Sequence, residues 1–125
     1  MTVPKVRVMI VEDEAIVSMD LRYQLMALGY CVTAEIRSGE EAVETASRLR
    51  PDVVLMSIHL SGELDGIAAA AEIRRRFDVP VVYLTGCTDQ AELQRAKATD
   101  PSGILFKPFD YQEIEQAIEI AIQNR

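Results

Sequence analysis

A chain of 125 residues, 49% apolar and 26% charged, has the size and composition of one soluble domain with a core of its own. A net charge of −7 and a pI near 4.7 argue against nucleic-acid backbones and anionic membranes as direct partners. No apolar run approaches a membrane span and residues 1–5 are no signal peptide; Cys31 and Cys87 lie outside any CxxC or Cys/His cluster, which fits a reducing cytoplasm.

Residues 6–11 (VRVMIV) read as a strand that stops at Glu12-Asp13-Glu14. The helical stretch that follows carries Ile16, Met19, Tyr23 and Met26 on one face, and Gly29 is placed to end it. In the second strand Val32, Ala34 and Ile36 alternate with Cys31, Thr33 and Glu35, so one face is wetter and the strand belongs at an edge. Ser38-Gly39-Glu40-Glu41 has the form of a capping box, Ser38 at the N-cap and Glu41 three residues on. The helix it opens turns Ala42, Val43, Ala46 and Leu49 inward and is stopped by Pro51.

Val53-Val54-Leu55-Met56 is an unbroken apolar run ending at Ser57, the pattern of a central parallel strand buried on both faces. After a polar, Gly-bearing loop, Asp65-Gly66 leads into a helix rich in alanine, with Arg74-Arg75-Arg76 in its last turn, where the helix dipole favours cations. Residues 81–84 form a fourth strand closed by Thr85-Gly86. Thr88 can cap the next helix, whose apolar face (Ala91, Leu93, Ala96, Ala98) is thin enough to make that helix a candidate for movement. Residues 104–106 form a short fifth strand ending at Lys107-Pro108, and Asp110 caps the last helix with Glu113 at N3. Its core stripe is Ile114, Ala117, Ile118, Ala121 and Ile122, with Ile120 off the stripe.

Strands alternating with helices through short connections specify a doubly wound α/β fold, a five-stranded parallel sheet with right-handed crossovers. Periodicity alone leaves the strand order open. The ends of four strands then share one edge, and they carry Glu12-Asp13, Ser57, Thr85-Gly86 and Lys107. Adjacent carboxylates in a pocket demand a cation, and oxygen ligands open to water suit Mg²⁺. A lysine and a threonine hydroxyl would bind the oxygens of a phosphoryl group. Each residue alone has a plainer account: helix-terminal acids, a turn hydroxyl, a solvated lysine, a small strand-end serine. Together at one rim they read as a metal-assisted phosphoryl site, without the GxxxxGK[ST] or GxGxxG loops of nucleotide binders.

Val11-Glu12-Asp13, Pro51-Asp52 before residues 53–56, Asp65-Gly66-Ile67, Tyr83-Leu84-Thr85 and Phe106-Lys107-Pro108-Phe109 together resemble the receiver domain of two-component response regulators, over nearly the whole of residues 1–125. The resemblance implies a flavodoxin-like (βα)5 fold with strand order 2-1-3-4-5. It implies Mg²⁺ held by Asp13, by Glu12 through water and by the His59 carbonyl, a phosphoryl group met by Thr85, Gly86 and Lys107, and a cis peptide bond before Pro108. It also implies a histidine kinase or phosphotransfer protein and a downstream protein as partners, the latter on the face of the fourth helix, fifth strand and fifth helix.

The departure is at the centre, where the family's phosphoacceptor aspartate falls on Ser57. A serine is a poor nucleophile without a base, and the missing carboxylate removes a metal ligand, so Mg²⁺ is expected to bind more weakly. Receivers commonly carry an aromatic rotor near residue 104, and here Ile104 stands in its place. The expected function is therefore a cytoplasmic, non-enzymatic signalling module that cannot take the usual aspartyl phosphate and acts by protein contacts. The alternative is an ordinary phosphoaccepting receiver carrying an engineered block at residue 57. Phosphate ester on Ser57 or phosphate on Asp65 has less support. A serine hydrolase lacks a GxSxG elbow around Met56-Ser57-Ile58, and Glu12-Asp13-Glu14 would repel the phosphate of a flavin mononucleotide. The chain closes soon after its last helix, so a receiver alone is expected, free-standing or excised from a longer regulator or hybrid kinase.

Overall fold

The computed structural model describes residues 5–86 and 89–124. Its elements are β1 (Arg7–Val11), α1 (Ala15–Ala27), β2 (Cys31–Ile36), α2 (Gly39–Leu49), β3 (Val53–Ser57), α3 (Gly66–Phe77), β4 (Val81–Thr85), α4 (Gln90–Lys97), β5 (Gly103–Phe106) and α5 (Tyr111–Gln123). Every strand pairing is parallel, in the order β2-β1-β3-β4-β5. Successive strand residues point to opposite faces. Met9, Val11, Val54, Met56 and Tyr83 accordingly pack under α2 and α3, while Val8, Ile10, Val53, Leu55 and Leu84 pack under α1 and α5. All five residues of β3 and of β4 are buried, as a run without alternation requires. β2 lies at the edge with only Ile36 buried, and its register against β1 slips between Val8 and Met9.

Helix ends follow local chemistry. Asp65 caps α3 by accepting from the Ala68 N–H, and Asp110 with Glu113 forms a complete capping box on α5. At α2 only half of the expected box forms: Ser38 accepts from the Glu41 N–H, while the neighbouring Glu40 turns to another loop. Thr88, the expected cap of α4, lies outside the described residues with Cys87, and Asp89 is the N-cap, accepting from the Glu92 N–H. The apolar face of α4 is narrower than its sequence implies: Leu93 and Ala96 are buried, Ala91 and Ala98 exposed.

α1 departs most from its apolar pattern. Ile16, Met19, Tyr23 and Met26 share a face, and that face points to solvent, with Ile16 77% and Tyr23 60% exposed. The side turned to the sheet is Ser18, Leu21, Gln24 and Leu25. Of the polar members, Ser18 donates to Glu35 and the Gln24 amide nitrogen donates to Asp20, while Gln24 Oε1 is buried with no hydrogen-bond partner among the described residues.

Two glycines fasten the loop that follows β3. A Cβ on Gly39 would stand 2.4 Å from the Leu64 carbonyl oxygen, and one on Gly66 would stand 1.8 Å from that of Ser57. No side chain fits either gap without a backbone shift. Gly66→Ala is expected to destabilise the domain by about 2–3 kcal/mol in urea unfolding, the scale of forced overpacking. Gly86→Ala, whose added carbon meets nothing within 4 Å, should shift it by less than about 0.5 kcal/mol.

Candidate functional site

The parallel order places the ends of β1, β3, β4 and β5 along one rim, where a cleft of about 790 Å³ opens. Asp13, Ser57, His59, Thr85, Gly86 and Lys107 line it, six of the seven residues singled out by sequence. The seventh, Glu12, lies beneath with its side chain fully buried. Lys107 Nζ sits 3.0 Å from Glu12 Oε1 and 3.7 Å from Glu14 Oε1, and the Glu14 N–H donates to Glu12 Oε2 at 3.1 Å. Each buried carboxylate oxygen thus has a donor, the condition on which a charge is tolerated inside a protein. The peptide bond between Lys107 and Pro108 is cis.

Ser57 is 3% exposed, and its hydroxyl donates to the His59 carbonyl at 3.2 Å. Asp13 accepts twice from Ser61, from its N–H at 3.2 Å and its hydroxyl at 3.0 Å. The groups of the cleft therefore bond one another: serine to carbonyl, serine to aspartate, lysine to glutamate.

Two contributors carry no signal in the sequence. Ser61 is an ordinary loop serine until the fold brings it under Asp13. Glu40 looks like a first-turn acid, yet its carboxylate reaches the Leu64 N–H at 2.8 Å and so holds the far end of the site loop. Its own backbone N–H first, then that of Leu64, keeps its carboxyl below the usual range against some desolvation, with help from the Glu63 N–H and the Ser38 hydroxyl.

Receivers bind Mg²⁺ in this cleft, and the residues present can be weighed against that ion. It prefers octahedral oxygen ligands that include carboxylates. Among the described residues no group of three or more acidic, histidine or cysteine side chains is placed to hold a metal. Of the available oxygens, the His59 carbonyl is taken by Ser57, Asp13 by Ser61 and Glu12 by Lys107. Position 57 adds a hydroxyl where a carboxylate would complete the set. Asp13 and the His59 carbonyl are the oxygens here that would hold such an ion, in competition with the hydrogen bonds from Ser61 and Ser57.

Residues 8–119 match the response regulator receiver domain, and the chain belongs to that family. It is 39% identical over 118 residues to the transcriptional regulatory protein PdtaR of Mycobacterium tuberculosis, covering 94% of this chain and 57% of that one. It is 29% identical to the phyllosphere-induced regulator PhyR of Methylorubrum extorquens, over 92% of this chain and 43% of the relative. The chain thus spans about half the length of these curated relatives. Among solved structures, the signal receiver domain of a modulated diguanylate cyclase from Desulfovibrio desulfuricans superposes with a TM-score of 0.93 at 40% identity, covering 97% and 96% of the two chains. The receiver domain of a sensor histidine kinase from Pseudomonas aeruginosa, with a magnesium ion coordinated in its active site cleft, superposes with a TM-score of 0.86 at 30% identity over 96% and 99%. Two-component signalling is the setting of this fold.

Two outcomes follow from the geometry. Lys107→Met leaves Glu12 buried beside an apolar chain, and urea unfolding should show a loss of about 3 kcal/mol, as for a broken buried pair. The Glu40 carboxyl is held below its ordinary value of 4.5, so it stabilises the fold above that pH and ceases to as pH falls through its lower folded-state value. Wild type should therefore exceed Glu40→Gln in stability at pH 7, and the gap should close on acidification. A gap constant with pH would contradict this.

Proposed function

We propose that this chain is a receiver module of two-component or phosphorelay signalling in which Ser57 stands at the acceptor position, so that the usual aspartyl phosphate does not form. The observation that carries this reading is the Ser57 hydroxyl, buried and bonded to the His59 carbonyl. A hydroxyl becomes a competent nucleophile only beside a base. The Ser57 hydroxyl gives its proton to a backbone carbonyl, and the one imidazole, that of His59, is directed to Glu92 instead. Glu12, Asp13, Thr85, Gly86 and Lys107 are the remainder of a phosphoryl and Mg²⁺ site with weakened metal affinity. We read the chain as a cytoplasmic, non-enzymatic domain.

Signalling without phosphate must run through protein contacts, with a histidine kinase or phosphotransfer protein on the input side and a protein target on the output side. The face of α4, β5 and α5 supports such contacts, since it leaves Phe106, Tyr111 and Ile120 between 47% and 49% exposed.

Incubation with Mg²⁺ and a small-molecule phosphodonor, followed by intact-mass measurement, is expected to leave the wild-type chain unmodified. Ser57→Asp should acquire a phosphate that depends on Mg²⁺ and is released by hydroxylamine, as an acyl phosphate is. Phosphate on the wild-type chain would overturn the reading.

A further inference from the structure

We propose that His59 mechanically couples position 57 to α4, its backbone gripping one and its side chain the other. The inference deepens the reading above, since it takes residue 57 as the input point, and it concerns how that point reaches the rest of the domain.

α4 spans eight residues and buries two side chains, Leu93 and Ala96. A helix that short is marginal without tertiary support, and much of its support is polar and comes from the site loop. Asp65, at the loop's far end, meets Arg95 at 3.4 Å while also capping α3. His59, at its near end, places Nε2 against Glu92 Oε1. Glu92 is only about one-fifth exposed, and apart from this imidazole contact the oxygen is buried with no hydrogen-bond partner among the described residues. A buried carboxylate oxygen with so little else to satisfy it makes the imidazole contact costly to lose.

The same residue accepts the Ser57 hydroxyl through its carbonyl. Carbonyl and side chain hang on one Cα, and the peptide unit is rigid. A change in what holds the His59 carbonyl shifts the backbone at residue 59, and the imidazole, carried on the same Cα, shifts with it against Glu92 and the first turn of α4. This path needs no aromatic ring on β5, where Ile104 stands.

Amide hydrogen exchange on the whole chain reads the coupling directly. Ser57→Ala removes the hydroxyl that holds the carbonyl, and His59→Ala removes the imidazole but keeps the carbonyl. Each is expected to lower protection of the α4 amides by about three- to tenfold, the range of one lost polar contact in a locally opening element. The double variant should lose no more than the larger single loss, and α2 amides should not change. Unaltered α4 protection in Ser57→Ala, or additive losses in the double variant, would overturn the coupling. Should His59→Ala unfold, the isosteric Glu92→Gln takes its place in the cycle. Neither readout involves phosphate, so labelling of the wild-type chain would strike the functional reading alone, and absent coupling would strike this inference alone.

Discussion

The ion pair of Glu12 and Lys107 is the constraint around which the rim is arranged. It joins residues 95 positions apart, from the ends of β1 and β5, across the intervening ends of β3 and β4. A fully buried carboxylate can exist there only because an ammonium and a backbone N–H meet its two oxygens. The lysine is directed inward, and the two intervening strand ends receive a polar roof. Parallel strands with right-handed crossovers make the juxtaposition possible, because they deliver every carboxyl end to one side.

Under that roof the side chains bond one another. An empty charged pocket is held open by repulsion and filled by a cation. Here the repulsion is spent internally, with Lys107 on Glu12 and Ser61 on Asp13, and Ser57 contributes a donor rather than a charge. A carboxylate at position 57 would compete for Lys107 and repel Asp13, which is the imbalance that Mg²⁺ relieves in receivers. A hydroxyl creates no such demand.

How far this was legible in the sequence depended on the physics each residue uses. β3 was plain, because a strand buried on both faces shows an unbroken apolar run whatever surrounds it. The rim residues were legible as a group, because topology alone delivers strand ends to one edge. α1 was not: period 3.6 says that Ile16, Met19, Tyr23 and Met26 share a face, but not which face the sheet covers, and Ser18 and Gln24 lie inside instead. Glu40 and Ser61 were invisible for a different reason. Their partners are backbone and carboxylate atoms far along the chain, and no local pattern encodes a bond from α2 to the loop after β3.

A fully buried tyrosine sits one strand further in than the rotor that receivers commonly place near residue 104. Tyr83 on β4 pairs in register with Ile104 on β5 and is fully buried. Its hydroxyl meets Thr99 Oγ1 at 2.7 Å, and Thr99 donates its own proton to the Ala96 carbonyl at the end of α4, so the phenol is the donor to Thr99. Burial pushes that phenol's pKa up, which keeps it protonated and fit to donate. Swinging the ring outward would expose its apolar face and break a satisfied buried hydrogen bond, a combined cost of a few kcal/mol, roughly. Tyr83 therefore behaves as a peg that fixes the C-terminal turn of α4, leaving the helix's N-terminal half, where Glu92 lies, as the end that the site loop holds.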